Sequence, residues 1–453
     1  MSNFKPVDRG TSFLLPPSVD EWLPQRHLAR FIVEVVDQLD LSTMTRAYRG
    51  AGSASYHPSM LLGLLVYGYA TGVFSSRKLE RATHDSVAFR FIAANQHPDH
   101  DTLANFRRRF LSEIEGLFVT VLKLAKQMGM LKLGTVALDG TKIHANASRH
   151  SALSYGHAQK IEAQLQAEVR ELLALAEQAD AADLPDELSI PKELELRQQR
   201  LAAIARAKAE IEARAEARYA EEQAEYAAKM KRREEPAARG GRGPAPSPPT
   251  PGPRDDDQLN LTDGDSRIMK TPQGFEQCYN AQAAVDTDSM LILAADVTQQ
   301  VNDKQQIEPM IDELKALSAA LDADDESVHT LLADTGYFSE ANVDACAAAR
   351  IEPLIATRRE HHHPPLLARF TEPTDPPPAD ATPLHAMKHR LATIDGRKRY
   401  AKRKHTVEPV FGIIKSVLGF RQFLLRGLKQ TRGEWNLVAL AWNCKRMFAL
   451  QAC

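Results

Sequence analysis

Val136-Ala137-Leu138-Asp139-Gly140-Thr141-Lys142 and Leu331-Leu332-Ala333-Asp334-Thr335-Gly336-Tyr337 are built alike. In each, a short apolar run leads into an aspartate, and a glycine follows within two residues. Such a run reads as a strand closed by a turn residue, with the first strand ending at Asp139 and Gly140. An aspartate at that place is usually a turn former. Two of them are another matter, because functional groups in open α/β sheets gather at the carboxyl edge of the strands.

The sequence around these runs supplies the rest of a sheet. Tyr279, Ala281, Ala283 and Val285 alternate, residues 286–289 turn, and residues 291–297 return, which predicts a β-hairpin over 277–299. An amphipathic helix follows over 307–321, then a strand over 329–333, a helix over 338–350 and a strand over 351–356. An opening meander followed by alternating strands and helices predicts an α/β fold, a mixed sheet with helices on its faces. A third acid, Glu408, lies in Thr406-Val407-Glu408-Pro409-Val410-Phe411-Gly412-Ile413-Ile414-Lys415. Thr406 is placed to cap a helix and Pro409 fits its first turn. At helical spacing Glu408, Gly412 and Lys415 share a face, where Gly412 leaves room for a substrate backbone and Lys415 offers a cation to a phosphate.

Residues 1–130 read as an all-α domain. Its helices run over 56–72, over 77–94 as two short pieces, and from a cap at Asp101 through Val121, with Arg107, Arg108 and Arg109 on the exposed face. A compact helical unit with a basic late helix is compatible with helix-turn-helix DNA binding. Residues 131–156 open the sheet domain. Residues 157–235, rich in Ala, Glu, Gln, Lys and Arg and broken near Pro185 and Pro191, predict a long antiparallel helical hairpin that serves as a spacer or protein-contact arm. Residues 236–270 follow as a linker whose Gly- and Pro-rich part, 236–257, cannot bury a core. The sheet domain resumes over 271–453. His361, His362 and His363 are consecutive and lead into prolines, so they read as a solvated loop rather than a metal site.

The chain has 453 residues, 43% hydrophobic and 26% charged, with a net charge of −2. That composition excludes a wholly disordered or collagen-like protein. No apolar run reaches the roughly 18 residues of a membrane span, and the first ten residues lack the apolar core of a secretory signal. Cys278, Cys346, Cys444 and Cys453 show no metal-ligand spacing and read as reduced thiols of a cytoplasmic protein. Charge is uneven: residues 385–446 hold fifteen Lys and Arg against three Asp and Glu, an excess suited to a nucleic acid.

Acids amid a basic surface suit phosphodiester chemistry. Two Mg²⁺ ions about 3.5–4 Å apart can activate a nucleophile and relieve charge on the leaving oxygen, and they need only a few carboxylates. At this point the chain resembles bacterial insertion-sequence transposases of the DDE class. The resemblance rests on residues 136–148 (VALDGTKIHANAS), 279–286 (YNAQAAVD), 333–340 (ADTGYFSE), 407–415 (VEPVFGIIK) and 435–446 (WNLVALAWNCKR). It implies an RNase H-like catalytic fold, a helical DNA-binding region ahead of it, and Asp139, Asp334 and Glu408 as the acids holding Mg²⁺, or Mn²⁺ in its place. It also implies that Lys415 contacts the transposon end. Many members carry a Tyr and an Arg ahead of the Glu, the Arg four positions upstream. Here Lys404 stands four upstream, and Tyr400 and Arg403 sit one residue earlier. The implied activity is binding to inverted repeats, cleavage and joining to target DNA by a homodimer or larger assembly on the bacterial nucleoid. The alternatives are a catalytically inactive DNA-binding derivative and a Mg²⁺-dependent nuclease that does not join strands.

Overall fold

Apolar runs at strand and helix periods are laid down in a computed structural model that describes residues 18–48, 55–178, 189–234, 245–321, 327–358, 371–373 and 380–451. The chain divides into two units, Met1–His144 with Cys278–Cys453, and Ala145–Gln277. Candidate residues His361, His362, His363 and Cys453 lie outside the described residues.

The first unit begins with helices α1 (Val19–Trp22), α2 (Leu28–Asp37), α3 (Ser42–Arg46), α4 (Pro58–Thr71), α5 (Ser76–Asp85), α6 (Val87–Ile92), α7 (His100–Arg109) and α8 (Leu111–Gln127). α4 is apolar on every side because nearly all of it is buried. It stops at Gly72, whose φ of +84° suits glycine, and a Cβ there would meet Leu418 O at 2.7 Å. Asp99, not Asp101, caps α7, accepting a bond from Thr102 N at 2.6 Å. The helix expected to continue to Val121 breaks at Phe110, which is buried among aromatic neighbours.

Then comes β1 (Thr135–His144). The chain leaves for the second unit and returns along β5 (Gly274–Asp286), followed by β6 (Ile292–Thr298), α11 (Ile307–Ala320), β7 (Thr330–Ala333), α12 (Glu340–Ala348) and β8 (Glu352–Ile355). The six-stranded sheet runs β4 (Arg267–Thr271), β5, β1, β7, β8, with β6 also paired to β5. β5 runs antiparallel to β1 and β6, and β7 and β8 run parallel with β1, so the expected mixed sheet is present. The helices α13 (Pro383–Ala392), α14 (Ile394–Ala401), α15 (Val407–Gly412) and α16 (Leu428–Leu450) complete the unit.

α16 explains the run 435–446. Fully buried Trp435 donates from Nε1 to Gln282 O at 2.9 Å, and the Asn443 amide accepts from Ile292 N and donates to Ile292 O, both at 2.8 Å. One side chain thereby satisfies backbone on edge strand β6 as a neighbouring strand would. α16 also joins the N-terminal helices to the sheet. Buried Glu434 accepts from Tyr69 Oη at 2.7 Å and from Leu424 N and Leu425 N at 2.9 and 3.0 Å.

In the second unit, α9 (Tyr155–Gln178) and α10 (Ile190–Glu234) form the helical hairpin, closed by Leu165, Ile204, Ala207 and Ile211. A short strand β2 (Ala152–Ser154) pairs antiparallel with β3 (Gln258–Asn260), and β4 (Arg267–Thr271) precedes β5. Residues 245–257, expected to be a structureless linker, carry anchors that hold them to α10. Arg254 donates to Glu222 at 2.9 Å, Arg218 donates to Gly252 O at 3.2 Å, and Arg218 pairs with Asp257 at 2.5 Å.

Candidate active site

Register brings the two aspartates together. β1 does not end at Asp139 as its sequence suggests; it continues to His144, because β5 pairs with it over its whole length from Val136. β7 pairs only with Thr135, Ala137 and the residue between them, and stops at Ala333. The pairing ends where Ala137 faces Leu332; continued two residues along both strands, it brings Asp139 and Asp334 to the same edge, and the Asp334 charge acts on Asp139. Asp334 Oδ1 accepts from Gly336 N at 2.7 Å and Asp139 Oδ1 from Gly140 N at 2.8 Å. Burial first, and the Asp334 charge next, push the Asp139 carboxyl up to about 7, against the pull of Arg403.

Glu408 reaches the same place from the far end of the chain. Arg403 lies within 3.5 Å of Asp139 Oδ2 through Nη1 and donates to Glu408 Oε1 at 3.1 Å through Nη2. One buried guanidinium thus bridges two of the acids, and the charge of the third, Asp334, acts on both Asp139 and Arg403. Burial opposes Arg403's charge, but Tyr400, Asp139 and Glu408 outweigh it and hold the group firmly protonated. Arg403 is therefore not a surface contact. Tyr400 is buried as well, whereas Lys404 is exposed.

The helix that carries Glu408 is less regular than its sequence suggests. Thr406 makes no side-chain cap; its hydroxyl donates to Lys402 O at 2.8 Å. After Gly412 the chain takes a π-helical turn over Ile413–Val417, so the expected common face is not continued by α-helical spacing. Lys415 instead reaches β1, donating to Thr141 Oγ1 at 3.0 Å and Lys142 O at 3.1 Å. Thr141 lies two residues beyond Asp139 and on the same side of the strand, so Lys415 is held on the face of β1 that carries Asp139. Gly412 is exposed, and among the described residues nothing beyond its own helix backbone and chain neighbours comes within 4 Å of where a Cβ would stand.

The arginines of α7 divide. Arg107 is buried and donates to Tyr69 Oη at 2.9 Å and Phe74 O at 3.3 Å, with Glu434 at 3.9 Å. Its place on the sequence suggested an exposed DNA contact; it is a packing group. Arg108 is exposed and bonded to Asn105, while Arg109 donates to Ala47 O and lies over the rings of Tyr48 and Phe110.

Asp303 lies in a polar loop without a strand or helix signal of its own. Its Oδ1 accepts from Asn280 Nδ2 at 2.7 Å and Gln282 Nε2 at 2.8 Å, and its charge acts on Asp139. The signal was present: Asn280 and Gln282 are polar residues at alternate positions of a buried strand, and buried amides need partners.

Among the described residues no three His, Cys, Asp or Glu side chains already stand in a metal-holding arrangement. The donor chemistry nonetheless fits a hard divalent cation. The converging groups are carboxylate oxygens, Asp139 is destabilised as an anion, and a cationic side chain already lies between Asp139 and Glu408.

Acids on the central strand, after the adjacent parallel strand and on a C-terminal helix define an RNase H-like α/β enzyme fold. Residues 247–444 match the family of the transposase DDE domain, and residues 17–109 match a second transposase domain (DUF772). No curated protein and no solved structure matches the chain. Together the two matches support an insertion-sequence transposase of the DDE class. The first match includes Asp334 and Glu408 but begins after β1, so the place of Asp139 rests on the strand register.

Proposed function

We propose that this chain binds the inverted-repeat ends of an insertion sequence, cleaves them and joins the freed 3′ ends to target DNA, with Asp139, Asp334 and Glu408 as its catalytic acids. The observation that carries the reading is the meeting of those three acids, drawn from positions far apart in sequence, around one arginine. Asp139, Asp334 and Glu408 would hold Mg²⁺, or Mn²⁺ in its place, most simply as two ions. When bound, the metal supplies Lewis-acid activation of the attacking oxygen and charge relief on the leaving one.

The protein groups do the remaining work. Asp139 and Glu408 compete for Arg403, so a cation that takes up their charge frees the guanidinium to turn toward a phosphate, which suits its forked donors. Lys415, held on β1 by the Thr141 hydroxyl and the Lys142 carbonyl, would meet a phosphodiester entering along the exposed face at Gly412. Lys404 and Arg108 lie on the surface as further phosphate contacts. Two ends must be held for joining, which calls for a homodimer or a larger assembly.

The test is incubation of the protein with Mg²⁺, the DNA that flanks its reading frame and a target plasmid, beside Asp139→Asn. Joined products that vanish in the variant support the proposal. Cuts without joining would show a nuclease, and retarded DNA with no covalent change an inactive binding derivative. DNA affinity should also fall steeply with salt.

A further inference from the structure

Buried polar groups outside the three acids point at a single place. Asn280 and Gln282 are both fully buried on β5, and both give their amide N–H groups to the same oxygen of Asp303. Tyr337, itself fully buried, donates from its hydroxyl to Gln282 Oε1, which fixes the Gln282 amide with its nitrogen toward Asp303. Asn342 Nδ2 donates to Lys304 O at 2.7 Å and Tyr337 O at 2.6 Å, tying the Asp303 loop to the turn after β7. A small network, every member of it with a named partner, orients one carboxylate.

That carboxylate stands near two of the acids, acting on Asp139 through its charge and approaching Asp334 at Gly336. Gly140, the residue after Asp139, makes the approach possible, because a Cβ there would meet the Gln282 amide and come within 2.6 Å of Asp303 Oδ1. The other oxygen, Oδ2, lies 3.6 Å from the point where a Cβ on Gly336 would stand, and Asp334 Oδ1 lies 2.9 Å from the same point. Asp303 and Asp334 therefore both stand against Gly336. Among the described residues Asp303 makes no ion pair; the Lys142 ammonium is buried near it without a hydrogen-bond partner.

A second observation is independent of the acids. Among the described residues Asn280 Oδ1 is buried with no donor to satisfy it, and it lies 3.0 Å from the same point beside Gly140. An amide oxygen left without a donor, in a fully buried residue, costs free energy unless a ligand completes it. It stands next to an anionic oxygen, so the missing ligand is one that oxygen donors attract.

We infer that Asp303 is a fourth oxygen donor of the divalent-cation site, held on its Asp334 side by Asn280 and Gln282. The inference rests on the carboxylate–cation reading of the active site. Hard divalent cations are commonly held by several carboxylate and amide oxygens together, directly or through their bound waters.

Mn²⁺ titrated into the full chain, with free Mn²⁺ followed by electron paramagnetic resonance, tests it apart from activity. Asp303→Asn keeps the shape, and its amide oxygen can still accept from Asn280 and Gln282. Gly140→Ala leaves every acid in the chain but pushes Asp303 from its place. Both should weaken Mn²⁺ binding by about tenfold or more, the scale on which neighbours of metal ligands act. Asp139→Asn should weaken it further. Wild-type affinity in Asp303→Asn would overturn the inference while leaving the active-site reading intact. A wild-type chain that binds no Mn²⁺ would sink both. If Asp303→Asn melts without cooperativity, Gly140→Ala decides: unchanged affinity there overturns the inference, and weakened affinity supports it.

Discussion

Arg403 carries a charge that the sequence alone misplaces. Three basic residues in a row, Arg403, Lys404 and the preceding Lys402, look like a surface ready for phosphate, yet the first of these is folded under the chain against Asp139 and Glu408. The guanidinium there holds together carboxylates that would otherwise repel, and it occupies ground that a divalent cation would contest. Arg403→Ala should therefore act in opposite senses with and without metal. The metal-free variant should lose about 1–3 kcal/mol of stability, the cost of leaving partly buried acids unpaired. Added Mn²⁺ should then raise its melting temperature by more than it raises that of the wild type, since a ligand stabilises the folded state in proportion to its affinity for it. Equal metal-induced shifts in the two proteins would show that Arg403 and the metal do not compete. Strand joining should fall in the variant at all metal concentrations, as the proposed turn of the guanidinium toward a phosphate requires.

At the scale of elements, periodicity and turn chemistry carried most of the fold. The β5–β6 hairpin, α11, β7, α12 and β8 all lie within a few residues of where alternation and helical spacing put them. What was not legible depended on partners distant in sequence. β1 extends past Asp139 only because β5 continues to pair with it, and residues 139–142 have too few apolar side chains to announce a strand. The hydroxyl of Thr406 went to Lys402 rather than to a cap, and a π turn moved Lys415 to β1. Arg107 looked like one of three exposed arginines until Tyr69 and Glu434 gave it buried partners. The acids themselves were legible because each stands beside a strand or helix signal; Asp303 was not, because it lies in a polar loop.

One further charged element makes a pH prediction. Glu313 on α11 packs beside Asp296 of β6, which pairs with Arg432 of α16. Burial, with Asp296 next, pushes the Glu313 carboxyl up to about 7 from an ordinary value of 4.5. Above pH 4.5 the unfolded chain releases this proton while the folded chain keeps it, so stability falls as pH rises from 4.5 to 7. Glu313→Gln removes the penalty. Its melting temperature should exceed that of the wild type at pH 8 and match it near pH 4.5, with a gain of no more than about 3 kcal/mol. A gain equal at both pH values would place the effect in packing rather than in the proton.

Across the whole molecule, the second unit interrupts the first at a point that the sheet itself defines. The chain leaves β1 after His144 and comes back on β5 at Cys278, and those two residues are paired across the ladder. One step further out, Ala145 N still donates to Gln277 O at 2.8 Å. An insertion of well over a hundred residues is thus a distended β-turn. Two-residue turns of Asn-Gly close such antiparallel pairs when the flanking residues share backbone hydrogen bonds. Replacing residues 146–276 by Asn-Gly should leave β1 and β5 in register and carry Asp139 to the same place opposite Asp334. Every acid of the site lies in the retained unit, as do α4, α8 and α16, which bury most of its helical core. The shortened chain should melt cooperatively and bind Mn²⁺ with the affinity of the full chain. If it also joins DNA ends, the helical hairpin is dispensable for chemistry. If it binds metal but joins nothing, the hairpin serves the DNA or the assembly, as a contact arm would. A shortened chain that cannot fold would show that the strand register of the catalytic sheet depends on the inserted unit.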